Sequence, residues 1–236
     1  MYTLRMLSKL LDLFYPPTCI LCGAAGAQGW DLCTGCHDEL PWNRNACARC
    51  ALPFDGPVPA EAHCGRCQKA LPTFDRCLAP LRYELQVPAL ITGAKFRGKL
   101  NAARLLGQIL ASALQSEAMA LPDVLIPVPL HLKRLRARGY NQALEIARSL
   151  SAVLELPVDT RSCDRVTATP PQAGLDEPER RRNIRGAFVA RRSLAGERVA
   201  IIDDVVTTAS TVGELSRVLR RAGAQGVEVW AVARTP

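Results

Sequence analysis

The sequence predicts an α/β protein whose parallel sheet is preceded by a small cysteine-rich segment. Three observations lead there. Of ten cysteines, eight stand in Cys-x-x-Cys pairs between Cys19 and Cys67, in a stretch rich in Pro and Gly and without long apolar periodicity. From Leu78 onward, apolar residues at helical spacing alternate with short apolar runs. Finally, a strand, a helix and a second strand follow one another from Val199 to Ala233, and such a unit closes through a right-handed crossover into parallel strands.

Composition narrows the class. The 236 residues are 48% hydrophobic and 22% charged, which excludes a disordered chain. No run of roughly 18 apolar residues occurs, so no membrane-spanning helix is expected. Thirty Lys+Arg against 22 Asp+Glu leave a net charge of +8, which favours polyanionic partners: phosphorylated small molecules, nucleic acid or anionic lipid.

The elements follow in order. Leu4, Leu7, Leu11 and Phe14 place a short amphipathic helix over residues 1–14, stopped by Pro16-Pro17. Arg5, Lys9 and Asp12 interrupt it and no small-residue cleavage site follows, so a secretory signal is not expected and the chain is assigned to the cytoplasm. Docking on its own protein is the expected role of this helix, with membrane-surface contact as the alternative. The cysteine-rich segment is expected over 15–77 and the α/β domain over 78–236. Within the latter, Leu90, Ile91 and Ala94 and then Leu106 to Leu114 read as helices, Val124-Leu125-Ile126 as a buried strand ended by Pro127, and Asn141 to Leu154 as a helix. Thr167 to Asn183 is polar, charged and Pro-rich and reads as a long loop. Val199 to Ile202 is a strand, Thr211 to Ala222 a helix stopped by Gly223, and Val227 to Ala233 a strand.

Chemistry first appears in the cysteines. The pairs are Cys19/Cys22, Cys33/Cys36, Cys47/Cys50 and Cys64/Cys67. Each turn aims two thiolates at one point, and a second pair completes a tetrahedron around zinc. Two structural zinc ions are expected, and their ligation replaces the missing core. Sequential pairing, the first four cysteines on one ion and the last four on another, needs the shortest loops and is preferred, while interleaved pairing stays open. A disulfide framework belongs to secreted chains and is disfavoured here. His37 and His63 adjoin ligands and are read as bystanders, and Cys77 and Cys163 as small buried hydrophobes.

The second chemical feature is Val199-Ala200-Ile201-Ile202-Asp203-Asp204-Val205-Val206-Thr207-Thr208-Ala209-Ser210-Thr211. Paired acids end a buried strand, and a hydroxyl-rich turn opens a helix. Beyond the carboxyl end of a parallel strand, the next helix presents free amides and its positive dipole end, a ready phosphate site. Thr207, Thr208, Ser210 and Thr211 add donors, while Asp203 and Asp204 suit sugar hydroxyls or hydrated magnesium, so the set describes an activated sugar phosphate. The competing reading is a capping box of Thr211 and Glu214 with solvated acids, which leaves the acid pair unexplained.

This stretch resembles the phosphoribosyl pyrophosphate (PRPP) motif of type I phosphoribosyltransferases. The wider chain resembles the ComF family, which includes competence protein F and GntX-type proteins and joins a double zinc ribbon to a phosphoribosyltransferase-like domain. Supporting motifs are Pro16-Pro17-Thr18-Cys19-Ile20-Leu21-Cys22, Lys95-Phe96, Pro127-Val128-Pro129, Arg136-Ala137-Arg138-Gly139-Tyr140-Asn141-Gln142 and Asn183 to Phe188. The resemblance implies a type I phosphoribosyltransferase-like parallel-sheet domain, ribose contacts from Asp203 and Asp204, and 5-phosphate contacts from Thr207, Thr208, Ala209, Ser210 and Thr211. It also implies a pyrophosphate side formed by the turn of Pro127, Val128 and Pro129 up to Leu130. The family turn has Gly where this chain has Ala209. That methyl group is expected to weaken phosphate binding without abolishing it, at little cost unless the position needs a positive φ.

Basic clusters complete the picture. Lys133, Arg134, Arg136 and Arg138 follow the first turn, and Arg180, Arg181, Arg182 and Arg185 lie in or after the long loop. Arginines suit bidentate phosphate contacts, and a loop can close over a reactive pyrophosphate. The expected activity is PRPP binding with magnesium and phosphoribosyl transfer to an unknown acceptor, with no general base identified. The alternative is a non-catalytic module of DNA uptake in which Arg180 to Arg185 bind single-stranded DNA or partner proteins. Counting eight thiolates and two zinc ions lowers the net charge from +8 to +4, leaving the positive field in the arginine clusters.

Overall fold

The computed structural model describes residues 16–96, 100–117, 120–168 and 182–236. The expected helix over 1–14 and most of the loop from Thr167 to Asn183, with Arg180 and Arg181, lie outside these residues. The chain forms two compact units, Met1–Pro41 and Trp42–Pro236.

In the described part of the smaller unit, α1 (Thr34–Asp38) begins at Cys33, whose sulfur accepts from the Cys36 amide at 3.4 Å. Only Cys19, Leu32 and Leu40 are fully buried there, too little apolar surface for a core.

The larger unit opens with α2 (Gly65–Lys69), β1 (Arg76–Leu78), β2 (Leu81–Arg82), α3 (Val87–Phe96) and α4 (Leu100–Gln115). It continues with β3 (Val124–Pro127), α5 (Leu132–Arg138), α6 (Gln142–Leu154), β4 (Cys163–Arg165) and β5 (Phe188–Ala190). It closes with β6 (Arg198–Val206), α7 (Ser210–Arg221) and β7 (Gly226–Arg234). The main sheet runs β1-β7-β6-β3, with β2 further along the same edge of β7, and every pair is parallel. The strand-helix-strand reading of the last third is thus a parallel sheet. β4 and β5 pair separately as an antiparallel ribbon.

Alternation along β6 and β7 builds two apolar faces. Val199, Ile201, Val227, Val229 and Ala231 cluster with Val212, Leu215 and Leu219 of α7, and the same cluster takes in Cys47, Cys50, Cys64, Cys67 and Phe74. The second cysteine group is therefore part of the larger unit's core. The alternate residues, including Ala200, Ile202 and Trp230, face the side where α4 and α6 pack. α4 and α6 meet at Gly107, where a Cβ would lie 2.4 Å from that of Ser149; Gly is required there for close approach. Among the described residues, no helix is long and apolar enough to cross a membrane.

Candidate functional site: two turns at the carboxyl edge of the sheet

The paired acids lie within β6, which continues past the expected end at Ile202 through Val205 and Val206, and Asp204 is buried at 5% exposure. The Asp204 amide donates to Oδ1 of Asp203 at 2.9 Å, which orients the first carboxylate. The chain then turns through Thr207, Thr208 and Ala209 into α7. Ala209 is the N-cap and has φ 61° and ψ 9°, the left-handed region in which a Cβ is strained. The condition attached to this alanine is met: the position does need a positive φ. The N-cap residue Ala209 makes no side-chain capping bond to α7. Thr208 Oγ1 and Ser210 Oγ lie 2.8 Å apart, which brings two of the expected donors together.

Glu214 does not form the capping box. Its Oε1 accepts from the Gly186 amide at 2.9 Å and its Oε2 pairs with Arg217, at 4% exposure. This carboxylate ties the segment from Asn183 to Phe188 to α7.

The turn from Pro127 to Leu130 stands on the adjacent strand. Pro127 is in register with Ile202, and the Val128 amide donates to the Ile202 carbonyl at 2.9 Å, one residue before Asp203. Asn141 fixes this turn twice over. Its Nδ2 donates to the Val128 carbonyl at 3.0 Å, while its Oδ1 caps α6 by accepting from the Ala143 amide at 3.0 Å. Gly139, at φ 84°, ends α5 in the left-handed conformation, and the Tyr140 hydroxyl donates to the Ala94 carbonyl. The Arg-Ala-Arg-Gly-Tyr-Asn-Gln motif is thereby a bracket that holds the turn.

Cations gather around the acids. Burial pushes the Arg138 guanidinium down, and the Asp204 carboxylate works against that shift; Arg138 also donates to Gln142 Oε1 at 2.5 Å. Arg165, buried at 9% exposure, is likewise pushed down by desolvation and by Arg134, while the Asp203 carboxylate opposes the shift, and it lies 5.6 Å over the Phe188 ring. Arg136 is exposed on α5, and Arg182, at the end of the expected loop, and Arg185, just after it, are exposed. An open cleft of about 670 Å³ is lined by Pro127, Pro129 and Leu130 of the first turn together with Tyr140, Asp159 and Arg165. Arg165 escaped the sequence reading. Its one local signal is that it shares an inward face with Cys163, two residues before it on β4.

The cysteines form two groups, Cys19, Cys22, Cys33 and Cys36, and Cys47, Cys50, Cys64 and Cys67, the sulfurs of each lying within 4.8 Å of one another. This is the sequential arrangement. Cys22 and Cys33 sulfurs are 3.7 Å apart, and those of Cys50 and Cys64 3.6 Å apart. A zinc tetrahedron with bonds of about 2.3 Å requires sulfur separations of about 3.8 Å, so both groups fit the ion. In the second group the Cys64 amide donates to the Cys47 sulfur at 3.3 Å. His37 and His63 belong to neither group. Cys77 and Cys163 are buried, and burial pushes each thiol up to about 12, as suits inert packing residues.

Residues 10–68 match the family model of the double zinc ribbon domain. The chain is 34% identical over 215 residues to competence protein F of Haemophilus influenzae, covering 86% of this chain and 90% of that protein. It is also 34% identical over 228 residues to DNA utilization protein YhgH of Escherichia coli O157:H7, covering 94% and 99%. Among solved structures, the glutamine PRPP amidotransferase of B. subtilis matches 54% of this chain and 25% of its own, with 22% identity and a TM-score of 0.36. The purine phosphoribosyltransferase of Pyrococcus horikoshii matches 57% and 74%, with 22% identity and the same TM-score of 0.36.

Proposed function

The chain belongs to the ComF family, and on that premise we propose that it binds phosphoribosyl pyrophosphate with magnesium and transfers the phosphoribosyl group to an acceptor. One observation carries the proposal: the two turns stand side by side on paired strands, with Pro127 in register with Ile202 and the acids next in line. In this reading the first amides of α7 and the hydroxyls of Thr207, Thr208, Ser210 and Thr211 take the 5-phosphate. Asp203 and Asp204 accept from the ribose hydroxyls. The Pro127, Val128 and Pro129 turn takes the pyrophosphate, with Arg138 and the exposed Arg136 supplying positive charge.

The carboxylates of Asp203 and Asp204 are oxygen donors of the kind magnesium takes, and magnesium when bound neutralises part of the charge on the departing pyrophosphate. The residues themselves hold and orient. The Asp204 carboxylate acts on Arg138 and the Asp203 carboxylate on Arg165, so these cations offset part of the acid pair's charge before ligand arrives. Transfer breaks the bond from the anomeric carbon to pyrophosphate as the acceptor nucleophile forms its own bond there, so the catalytic share of the protein is alignment and charge stabilisation.

Isothermal titration of PRPP with magnesium into the wild type and the Asp203→Asn/Asp204→Asn variant tests this reading. Saturable binding by the wild type, weakened at least about tenfold in the variant, is expected. No binding by the wild type would sink it.

A second reading has its own support. Arg182 and Arg185 are exposed, and the relatives are named for competence and DNA utilization. The protein would then bind single-stranded DNA through Arg180, Arg181, Arg182 and Arg185, as a cytoplasmic partner of DNA-uptake proteins. Anisotropy of a labelled strand against salt, in the wild type and in a variant with these arginines changed to alanine, separates the two. Salt-dependent strand binding lost in that variant, with no PRPP binding by the wild type, selects the second.

A further inference from the structure

Arg234, at the end of β7, is buried at 3% exposure. Its guanidinium spans two places that are far apart in sequence. On one side Nε donates to the carbonyl of Cys50, inside the second cysteine group, at 3.1 Å. On the other, Nη1 donates to the carbonyls of Val206, at 3.1 Å, and Thr207, where β6 gives way to the phosphate turn, and to the Thr235 carbonyl at 2.9 Å. A buried guanidinium needs both its donors and its charge satisfied. Among the described residues, its acceptors are carbonyl and hydroxyl oxygens. Four thiolates around one zinc ion would carry a net charge of −2, and Cys50, whose carbonyl Arg234 bonds, belongs to that group.

Other contacts make this end of the sheet rigid. Asn43 Nδ2 donates to the carbonyls of Ala51 and Ala79, and the Cys77 amide donates to the Arg49 carbonyl at 2.9 Å. The Arg82 guanidinium donates to the Phe54 carbonyl. The cysteine knuckle is thus stitched to β1 and β2, and Arg234 is the bond that continues from it to the turn.

We propose that Arg234 is a positioning residue that transmits zinc occupancy of the Cys47, Cys50, Cys64 and Cys67 group to the Thr207–Thr211 turn. Metal on the cysteines holds the Cys50 carbonyl in place and balances the guanidinium, and the guanidinium holds the Val206 and Thr207 carbonyls from which the turn departs. Its bearing on ligand affinity rests on the reading of that turn as a phosphate site.

Two backbone amides report on the turn without any ligand. The Gly213 amide bonds the Ala209 carbonyl at 2.8 Å, and the Thr235 amide bonds the Val206 carbonyl at 3.1 Å. Hydrogen exchange is measured on the zinc-loaded full chain of the wild type, Arg234→Met and Arg234→Lys, with Ile201 and Val229 in the sheet as references. Lysine keeps the charge but cannot span both sides, so both variants are expected to exchange roughly tenfold faster at Gly213 and Thr235, with the references unchanged and two zinc ions retained. If Arg234→Met does not fold, Arg234→Lys alone decides. Stripping zinc from the wild type with a chelator is expected to accelerate the same two amides, and to add nothing further in Arg234→Lys. Unchanged reporters in the folded variants or in the zinc-free wild type overturn the proposal, as does acceleration of reporters and references together. PRPP titration is expected to show roughly tenfold weaker binding in both variants. If the wild type binds no PRPP, the proposed function falls while the exchange data still decide the role of Arg234.

Discussion

Asn141 holds Val128: its Nδ2 donates to the Val128 carbonyl at 3.0 Å while its Oδ1 caps α6. One side chain therefore starts a helix and shapes a turn, and the two roles are separable. Asn141→Asp keeps the cap but sets a carboxylate against a carbonyl, whereas Asn141→Ala loses both. Urea denaturation is expected to show Asn141→Ala destabilised by about 1–2 kcal/mol. PRPP affinity is expected to fall in both variants, so a tight-binding Asn141→Asp would show that the bond to Val128 does not shape the ligand side.

Ala209 sits at φ 61°, where glycine is at ease and alanine is not. Ala209→Gly is expected to raise stability by about 0.5–1 kcal/mol, and Ala209→Val to lower it by more than that, in the same denaturation experiment. PRPP should bind Ala209→Gly more tightly than the wild type. Equal affinities would show that the methyl group stands clear of the phosphate.

Asp159 gives the fold an acid limit. Burial opposes its ionisation, but the Ser162 hydroxyl, the amides of Arg161 and Ser162, and the Arg192 guanidinium together hold the carboxyl down to about 2. A folded pKa below the unfolded value of about 3.9 means stability that is present above pH 4 and lost as the pH falls toward 2. Asp159→Asn should cost about 1–2 kcal/mol at neutral pH and flatten the stability profile between pH 4 and 2. A variant profile as steep as the wild type's would assign the acid sensitivity elsewhere.

The two cysteine groups should release metal unequally. Cys22 is exposed and Cys33 and Cys36 are half-buried, whereas all four cysteines of the second group are buried among Phe74 and the sheet. Metal analysis is expected to give about two zinc ions per chain, and chelator titration two phases. The early phase should unfold the segment from residue 16 to 41, whose buried residues are too few to stand without metal. Release in a single phase would contradict this difference in burial.

Much of the candidate site was legible because its signals are local. Cys-x-x-Cys spacing declares its ligands within four residues, and the run from Val199 to Thr211 writes strand, acids, turn and helix in one stretch. The partners of Arg165 and Arg234 are not written nearby. Arg234 bonds Cys50, which lies 184 residues earlier, and neither neighbour hints at it. The grouping of Cys47 to Cys67 with the sheet was hidden for the same reason. The expected boundary at 77 followed a change in composition, whereas compactness follows packing, and Phe74 and the buried cysteines pack on the sheet. The role of Glu214 was also a matter of tertiary context, since its capping-box spacing was sound but the Gly186 amide claimed the carboxylate.

The place of β7 in the sheet bears on how the protein comes into being. The strand from Gly226 to Arg234 is the shared partner of β1, β2 and β6. A ribosome delivers it after all of them. Until then β6, with its run of buried valines and isoleucines, has β3 alone as strand partner among the described residues, and β1 and β2 lack theirs. The cysteine pairs, by contrast, can close on metal as soon as they emerge, since their loops are short. The nascent chain is thus expected to be metal-tethered at its beginning and aggregation-prone in its middle, and to complete its sheet only when the last strand slides between its neighbours.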